Sequence, residues 1–126
     1  MTDRIKARKA RRQRSYRKGR WAEQIAAAFL MAKGYRILNR RFRCPVGEVD
    51  LIAVRGRRLA FVEVKVRPTL DAALWAVTPR QQDRISRAAA YWLQSRPLEG
   101  DQDIGLDVIA LAPWRWPRHV TNAFLA

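Results

Sequence analysis

The stretch GEVDLIAVRGRRLAFVEVKV, residues 47–66, decides the fold of this chain. It contains two runs rich in apolar and β-branched residues, 48–54 and 58–66, with a glycine between them. A two-residue loop at Gly56-Arg57 has the spacing that closes two such runs as a β-hairpin. The stretch therefore predicts an antiparallel pair of strands at the centre of the fold.

Charged residues interrupt this predicted hairpin at facing positions. With the loop at Gly56-Arg57, Asp50 lies opposite Glu63 and Glu48 lies opposite Lys65. Because side chains alternate along a strand, these four residues share one face. The other face is expected to be core and carries Val49, Leu51, Ala53, Ala60, Val62 and Val64.

Facing carboxylates at Asp50 and Glu63 would destabilise a pair of strands. At ~4 Å and an effective dielectric constant of about 20, their repulsion is about 4 kcal/mol. A divalent cation between them reverses the sign, since Mg²⁺ takes hard oxygen ligands. The alternative is a polar sheet face with a surface ion pair between Glu63 and Lys65. We favour a metal site with a lysine beside it, because Asp and Lys are poor strand formers.

The rest of the chain predicts an α/β domain. A capping box opens the second helix, with Thr78 as the N-cap, Pro79 as its first residue and Gln81 as its third. The other expected elements are a helix over residues 20–33, a strand over 35–42, a loop over 69–77, a strand over 106–111 and a short strand near 118–122. The order α-β-β-β-α-β, with an optional last strand, predicts a mixed sheet flanked by helices.

The composition indicates a polyanionic partner. The 126 residues carry a formal net charge of +15, and nucleic acid is the first candidate for such a balance. No apolar run approaches the length of a membrane span, so no membrane partner is expected. The single cysteine, Cys44, excludes an intramolecular disulfide and predicts a reducing, cytoplasmic location. The sequence contains one histidine, His119, in addition to this cysteine. One chain therefore cannot build a structural zinc site, so any metal must be held by carboxylates.

Residues 1–18 form a basic tail that is expected to be disordered, and residues 19–126 form the folded domain. The tail cations predicted to follow a phosphate backbone are Arg11, Arg12, Arg14, Arg17 and Lys18. The alternative interpretation of the tail is a solubilising extension.

The tryptophans divide into two groups. Trp92 falls on the apolar stripe of the second helix and is expected in the core. Trp114 and Trp116 flank Arg115, which is typical of a surface that stacks on unpaired bases, although a hydrophobic plug fits equally well. Trp75, in the loop beyond the hairpin, is a candidate lining residue for a substrate groove.

The chain resembles a known group of proteins. Asp50 followed by Glu63-x-Lys65 is similar to the PD-(D/E)xK motif of restriction-endonuclease-like nucleases, and the chain as a whole resembles the bacterial YraN-like family, related to archaeal Holliday-junction resolvases. The matching blocks are Gly19-x-x-Ala22-Glu23-x-x-Ala26, Gly34-Tyr35, Gly47-Glu48-Val49-Asp50-Leu51-Ile52, Phe61-Val62-Glu63-Val64-Lys65-x-Arg67, Val77-Thr78-Pro79, Arg84-Ile85-x-x-Ala88-Ala89, Asp107-Val108-Ile109 and Asn122-Ala123-Phe124. The resemblance implies a restriction-endonuclease-like αβββαβ core.

The resemblance also implies roles for individual residues. Asp50 and Glu63 would be ligands of Mg²⁺ or Mn²⁺, Lys65 the catalytic lysine and Glu23 a helix acid that completes the catalytic site. The alternative for Glu23 is a first-turn acid that favours the helix dipole. Glu48, on the same predicted face, is a third candidate ligand, with a solvated partner of Lys65 as its alternative.

Nucleic-acid contacts within the domain are expected at Arg67 and at Gln82, a polar position on the second helix. Two positions depart from the family pattern. Gln81 replaces a usual lysine, and Gly105 replaces an arginine that usually precedes Asp107 by two. Each departure removes a cation that could hold a phosphate, so substrate affinity is the property in question.

The implied activity is metal-dependent hydrolysis of phosphodiester bonds in DNA, in preference to RNA, with branched or flap structures among the substrates. Resolvase-like relatives are often dimers, which makes a homodimer an expectation. One alternative is a binding module that keeps the fold and does not cleave. Another is a small RNA- or ribosome-associated basic protein, for which the tail alone would be sufficient.

Overall fold

The computed structural model describes residues 20–96 and 102–124. These residues form an α/β unit with a mixed five-stranded sheet flanked by helices, as the sequence predicts, and the strand order is β1-β2-β3-β4-β5. The strands are β1 (Arg36–Cys44), β2 (Gly47–Arg55), β3 (Arg58–Val66), β4 (Asp103–Leu111) and β5 (Arg118–Val120). The helices are α1 (described over residues 20–32), α2 (Leu70–Trp75) and α3 (Pro79–Gln94). The five predicted tail contacts (Arg11, Arg12, Arg14, Arg17 and Lys18) lie outside the described residues.

The predicted hairpin register is confirmed over residues 51–55 and 58–62, whereas the predicted pairs Asp50–Glu63 and Glu48–Lys65 lie beyond the observed ladder. Strands β2 and β3 pair antiparallel from Arg55↔Arg58 to Leu51↔Val62. Gly56 opens the loop with φ +58°, a left-handed conformation that glycine adopts without the steric cost of a Cβ.

The sheet is mixed because β4 runs parallel to β3, with Lys65 paired to Ala110 and Val66 to Leu111. A parallel connection requires a long crossover, and α2 and α3 provide it. The C-terminal ends of β3 and β4 therefore lie at the same edge of the sheet. We call this edge the upper edge.

Both faces of the sheet are buried, which corrects the prediction of one core face and one polar face. Helix α1 covers one face, over a cluster that includes Leu51, Ala53 and Val62. Helix α3 covers the other, over a cluster that includes Ile52 and Phe61. Val49 belongs to the α3 cluster rather than to the face of Leu51, so its predicted face is wrong. Strand alternation breaks between residues 49 and 52, around Asp50.

The start of α3 is confirmed in detail. The Thr78 hydroxyl accepts from the Gln81 backbone N–H, and the Gln81 side chain accepts from the Thr78 backbone N–H. Pro79 occupies the first turn, where no N–H donor is needed. Trp92 is buried and packs edge-on against Phe61, with ring centroids 5.7 Å apart.

Other boundaries differ from the sequence prediction. Residues 69–77 are not a loop throughout, because Thr69 caps the short helix α2 by accepting from the Ala72 backbone N–H. Strand β4 begins three residues earlier than expected, since parallel pairing with β3 starts at Arg58↔Asp103. Gly34 ends α1 with φ +93°, as expected of a helix C-terminus. Within residues 20–96 and 102–124, no helix has the length and apolar character needed to cross a membrane.

Candidate metal and catalytic site

Three acidic side chains from α1, β2 and β3 meet toward the upper edge of the sheet. We call Glu23, Asp50 and Glu63 the carboxyl cluster. Asp50 interacts electrostatically with both glutamates, and Lys65 lies beside Glu63. The structure thus brings together the four residues that the sequence predicts as catalytic.

Asp50 takes over a position in the hydrogen-bond ladder. Backbone pairing between β2 and β3 stops at Leu51↔Val62, and Asp50 Oδ2 accepts from the Val64 backbone N–H at 2.8 Å. Burial raises the pKa of Asp50, against the lowering effects of that N–H and of Lys65. The strand irregularity therefore aims a carboxylate at β3.

Glu63 interacts with both Lys65 and Asp50. Its Oε1 lies 3.4 Å from Lys65 Nζ, and both side chains are nearly buried. Burial, followed by the charge of Asp50, raises the pKa of Glu63 to about 8. One ammonium at this distance does not offset the loss of water around the carboxylate.

Glu23 bridges the cluster to strand β1. Its Oε2 lies 2.8 Å from Arg41 Nε. Burial, followed by the charge of Asp50, nevertheless raises the pKa of Glu23 to about 7. Arg41 holds a left-handed backbone, φ +53°, which is uncommon for a non-glycine residue and often marks a functional site.

Glu48 lies beside the cluster rather than within it. Half of its side chain is exposed, and it forms a long ion pair of 3.7 Å with Arg43. Together with Glu63 it lines a groove of about 60 Å³ against α3, whose other lining residues are Gln81, Arg84 and Ile85. Gly47 lets this groove stay narrow, because a Cβ at that position would overlap the Arg84 backbone carbonyl.

The donor set fits a hard divalent cation with few protein ligands. Among residues 20–96 and 102–124, no group of three or more His, Cys, Asp or Glu side chains has a metal-binding arrangement. Mg²⁺ commonly takes one or two carboxylates and completes its shell with water and phosphate oxygens. Asp50 and Glu63 can supply those two, and a cation would offset the loss of hydration that raises both pKa values and the charge of Asp50 that raises the pKa of Glu63 further. Glu48 as a further ligand stays a prediction.

The two predicted contacts within the domain are bonded to nearby backbone. Arg67 donates to the Val66 carbonyl at 2.6 Å and is exposed just beyond β3. Gln82 donates to the Val77 carbonyl at 3.2 Å. Their roles toward nucleic acid stay predictions.

A second polar centre, built around Asp107, was missed by the sequence analysis. Asp107 is completely buried, and its carboxylate accepts two bonds from Arg58 at 2.6 and 2.7 Å. It also contacts His119 Nε2 at 2.8 Å and accepts from the Asn122 backbone N–H at 2.9 Å. Burial alone would raise its pKa, but these partners lower it to about 2. We call these four residues the Asp107 network.

The network explains the departure at Gly105. A Cβ there would overlap the guanidinium of Arg58, which lies against Asp107. Arg58 from β3 therefore occupies the space into which an arginine at position 105 would extend. The expectation that Gly105 weakens phosphate binding stays a prediction, and position 105 itself lies against Arg58 and Asp107 of the network. The sequence around Asp107 contained a signal for this network. An Asp within an apolar strand is buried with its neighbours, and a buried carboxylate requires a cationic partner.

Comparisons with known proteins agree on one family. Residues 22–111 match the profile of "Uncharacterised protein family UPF0102". A UPF0102 protein of Rhodopseudomonas palustris strain BisB18 is 54% identical over 110 residues, covering 87% of this chain and 82% of that protein. A UPF0102 protein of Methylorubrum extorquens is 51% identical over 115 residues, covering 91% of this chain and 90% of that protein.

Proposed function

The chain belongs to the UPF0102 family, and from that premise we propose that it is a Mg²⁺-dependent nuclease that hydrolyses phosphodiester bonds in DNA. The observation that carries the proposal is the crowding of Glu23, Asp50 and Glu63 with raised pKa values beside Lys65. Perturbed acids of this kind concentrate at functional sites. The high positive charge of the chain suits a polyanionic substrate.

The proposal extends to the fold. We assign the αβββαβ order and the mixed sheet to the restriction-endonuclease-like class. Support comes from the position of Asp50 on β2 and of Glu63 and Lys65 on the paired strand β3. This is the arrangement that the resemblance implies for the PD-(D/E)xK motif.

The residues divide the chemistry between them. Asp50 and Glu63 would hold the ion, which when bound polarises the scissile phosphate and lowers the pKa of a water molecule. Lys65 keeps an ammonium 3.4 Å from Glu63, where it can donate to an oxygen that gains charge in the transition state. Glu23, with a pKa of about 7, is suited to hold or release a proton at neutral pH. Burial around the four side chains limits competing water.

A non-catalytic nucleic-acid-binding module is the second candidate. The observation that favours it is the commitment of Gln81 to the α3 capping box. The usual lysine at this groove position is thereby missing, and no other residue of the described groove lining except Arg84 is cationic.

The test is a cleavage panel of single-stranded, double-stranded, flapped and branched DNA with Mg²⁺ and with Mn²⁺. Asp50→Asn, Glu63→Gln and Lys65→Ala should each lower the rate by about 10²–10³, the usual cost of one electrostatic contact to a transition state. The exposed acid Asp71 on α2 offers a matched control, and Asp71→Asn should cleave like the parent.

Calorimetric titration with Mn²⁺ separates the two candidates. The nuclease should bind the ion, and Asp50→Asn should abolish that binding. A parent protein that binds nucleic acid but neither binds Mn²⁺ nor cleaves any substrate would establish the binding module instead.

A further inference from the structure

Four of the five tryptophans are exposed, and three of them follow strands that end at the upper edge. Trp75 is 86% exposed, Trp116 is 87% exposed and Trp114 is fully exposed. We call these three residues the tryptophan rim. Large exposed apolar side chains on a protein surface are candidates for a binding site. The prediction of a hydrophobic plug at Trp114 and Trp116 is wrong, because neither is covered.

Chain connectivity limits how far Trp114 can lie from the sheet edge beside Lys65. Lys65 on β3 pairs with Ala110 on β4, so both chain segments leave the sheet beside Lys65. Trp114 follows Ala110 by four residues, which span at most about 14 Å when fully extended. Trp75 is the last residue of α2, the helix that follows β3.

The backbone at Trp114 adds a second observation. Its φ of +63° lies in the left-handed region, which is a rare conformation for a bulky side chain. Neither burial nor a packing contact compensates, since the side chain is fully exposed. Strain of this kind concentrates at ligand sites.

The exposed arginines around the tryptophan rim favour an anionic ligand. Arg115 separates Trp114 from Trp116, Arg118 opens β5, and Arg67 lies just beyond β3; all three arginines are exposed. Aromatic side chains interleaved with cations bind single-stranded nucleic acid, because every base offers a stacking face and every linkage a phosphate. In a paired duplex those faces are already stacked on neighbouring bases.

We propose that the tryptophan rim stacks on unpaired bases beside the scissile phosphodiester, so that the substrate class is nucleic acid with a single-stranded segment. The proposal rests on the proposed nuclease function for the meaning of the neighbouring site. Stacking itself requires no cleavage and is tested without metal.

The experiment compares two probes of equal length and charge in EDTA: a 20-nucleotide oligothymidylate and an abasic deoxyribose-phosphate chain. The full-length parent should bind the oligothymidylate more tightly. Trp75→Ala and the double variant Trp114→Ala/Trp116→Ala should weaken that binding by roughly 5- to 150-fold per stacked base lost. Binding of the abasic chain should not change, since its phosphates still meet the arginines.

Two controls define the readout. Ile104→Ala removes an exposed apolar side chain from the opposite end of β4 and should bind both probes like the parent. Trp75→Phe should recover part of the lost affinity, because a phenyl ring still stacks.

The proposal is overturned if the parent binds both probes equally, or if the alanine variants lose affinity for both. It is also overturned if the rim variants change only the oligomeric state in sedimentation, which would make the rim a contact between two copies of the chain. Base-dependent binding without any metal-dependent cleavage would leave stacking standing and remove the nuclease. Cleavage that ignores the rim variants would leave the nuclease and remove stacking.

Discussion

Two buried acidic centres lie on the same sheet, and their pKa values are shifted in opposite directions. In the Asp107 network the carboxylate is completely buried, and its pKa falls to about 2. In the carboxyl cluster Glu63 is nearly as buried, and its pKa rises to about 8. Burial acts in the same direction on both groups, so burial does not account for the difference.

The number and charge of the hydrogen-bond donors account for it. Asp107 receives a bidentate guanidinium, an imidazole and a backbone N–H. Glu63 has one ammonium nearby and faces another carboxylate. An acid with several donors around it is stabilised as the carboxylate, whereas a buried acid with few donors and a neighbouring carboxylate is stabilised in its protonated form.

The largest expected effect comes from removing the charge of Asp107 in the Asp107 network. Asp107→Asn leaves the Arg58 guanidinium without its counter-charge, and loss of one partner of a buried pair typically costs about 3–5 kcal/mol. Urea unfolding at pH 7 should show this loss. Asp103→Asn, an exposed acid on the same strand, should unfold like the parent, and equal stability of the two variants would contradict the role of the network.

The same centre has a defined pH dependence. Because the folded pKa of Asp107 is lowered to about 2, its contribution is present above the ordinary value of about 3.8 and is lost as the pH falls toward 2. The stability gap between the parent and Asp107→Asn should therefore close between about pH 4 and pH 2. A gap that persists at pH 2 would argue for a packing effect instead.

The second expected effect, at Glu63 in the carboxyl cluster, is a gain of stability on substitution rather than a loss. Glu63 has a raised folded pKa, so its favourable contribution is present below about pH 4.5 and is lost as the pH rises through about 8. Glu63→Gln stays neutral and should be more stable than the parent at pH 9 by roughly 1–3 kcal/mol, with little difference at pH 4. Thermal unfolding at both pH values is the measurement, with the half-exposed Glu48→Gln as control. Saturating Mg²⁺ should narrow the difference by stabilising the parent alone.

The smallest expected effect comes from rebuilding the Asp107 network with an arginine at position 105. Gly105→Arg should destabilise the protein, since its side chain overlaps the Arg58 guanidinium. Combined with Arg58→Ala, the new arginine can replace the lost partner of Asp107. A double-mutant cycle by urea unfolding should give a favourable coupling of about 1 kcal/mol. Additive losses would mean that position 105 does not reach the network.

Local patterns predicted the parts of the molecule that short-range chemistry determines. The β2–β3 register follows from the Gly56 turn, and the α3 start follows from Thr78, Pro79 and Gln81. That register predicts Asp50 opposite Glu63, but the ladder stops at Leu51↔Val62, and Asp50 instead accepts from the Val64 backbone N–H. The position of Glu23 beside Asp50 and Glu63 came only from the family resemblance, because it depends on how α1 crosses the sheet.

The missed features depend on contacts between distant segments. Asp107 and Arg58 are 49 residues apart, and no local pattern joins them. The break in alternation lies at Asp50, whose side chain accepts from the Val64 backbone N–H across the two strands. The α2 helix has only six residues, too few for a periodic pattern.

The parallel pairing of β3 with β4 has a consequence for biosynthesis. β3 joins β2 through a two-residue turn, but its other edge waits for residues 103–111. At a synthesis rate of about 5–20 residues per second, this apolar strand stays open on the ribosome for roughly 2–7 seconds. An open edge is a template for pairing with a neighbouring nascent chain.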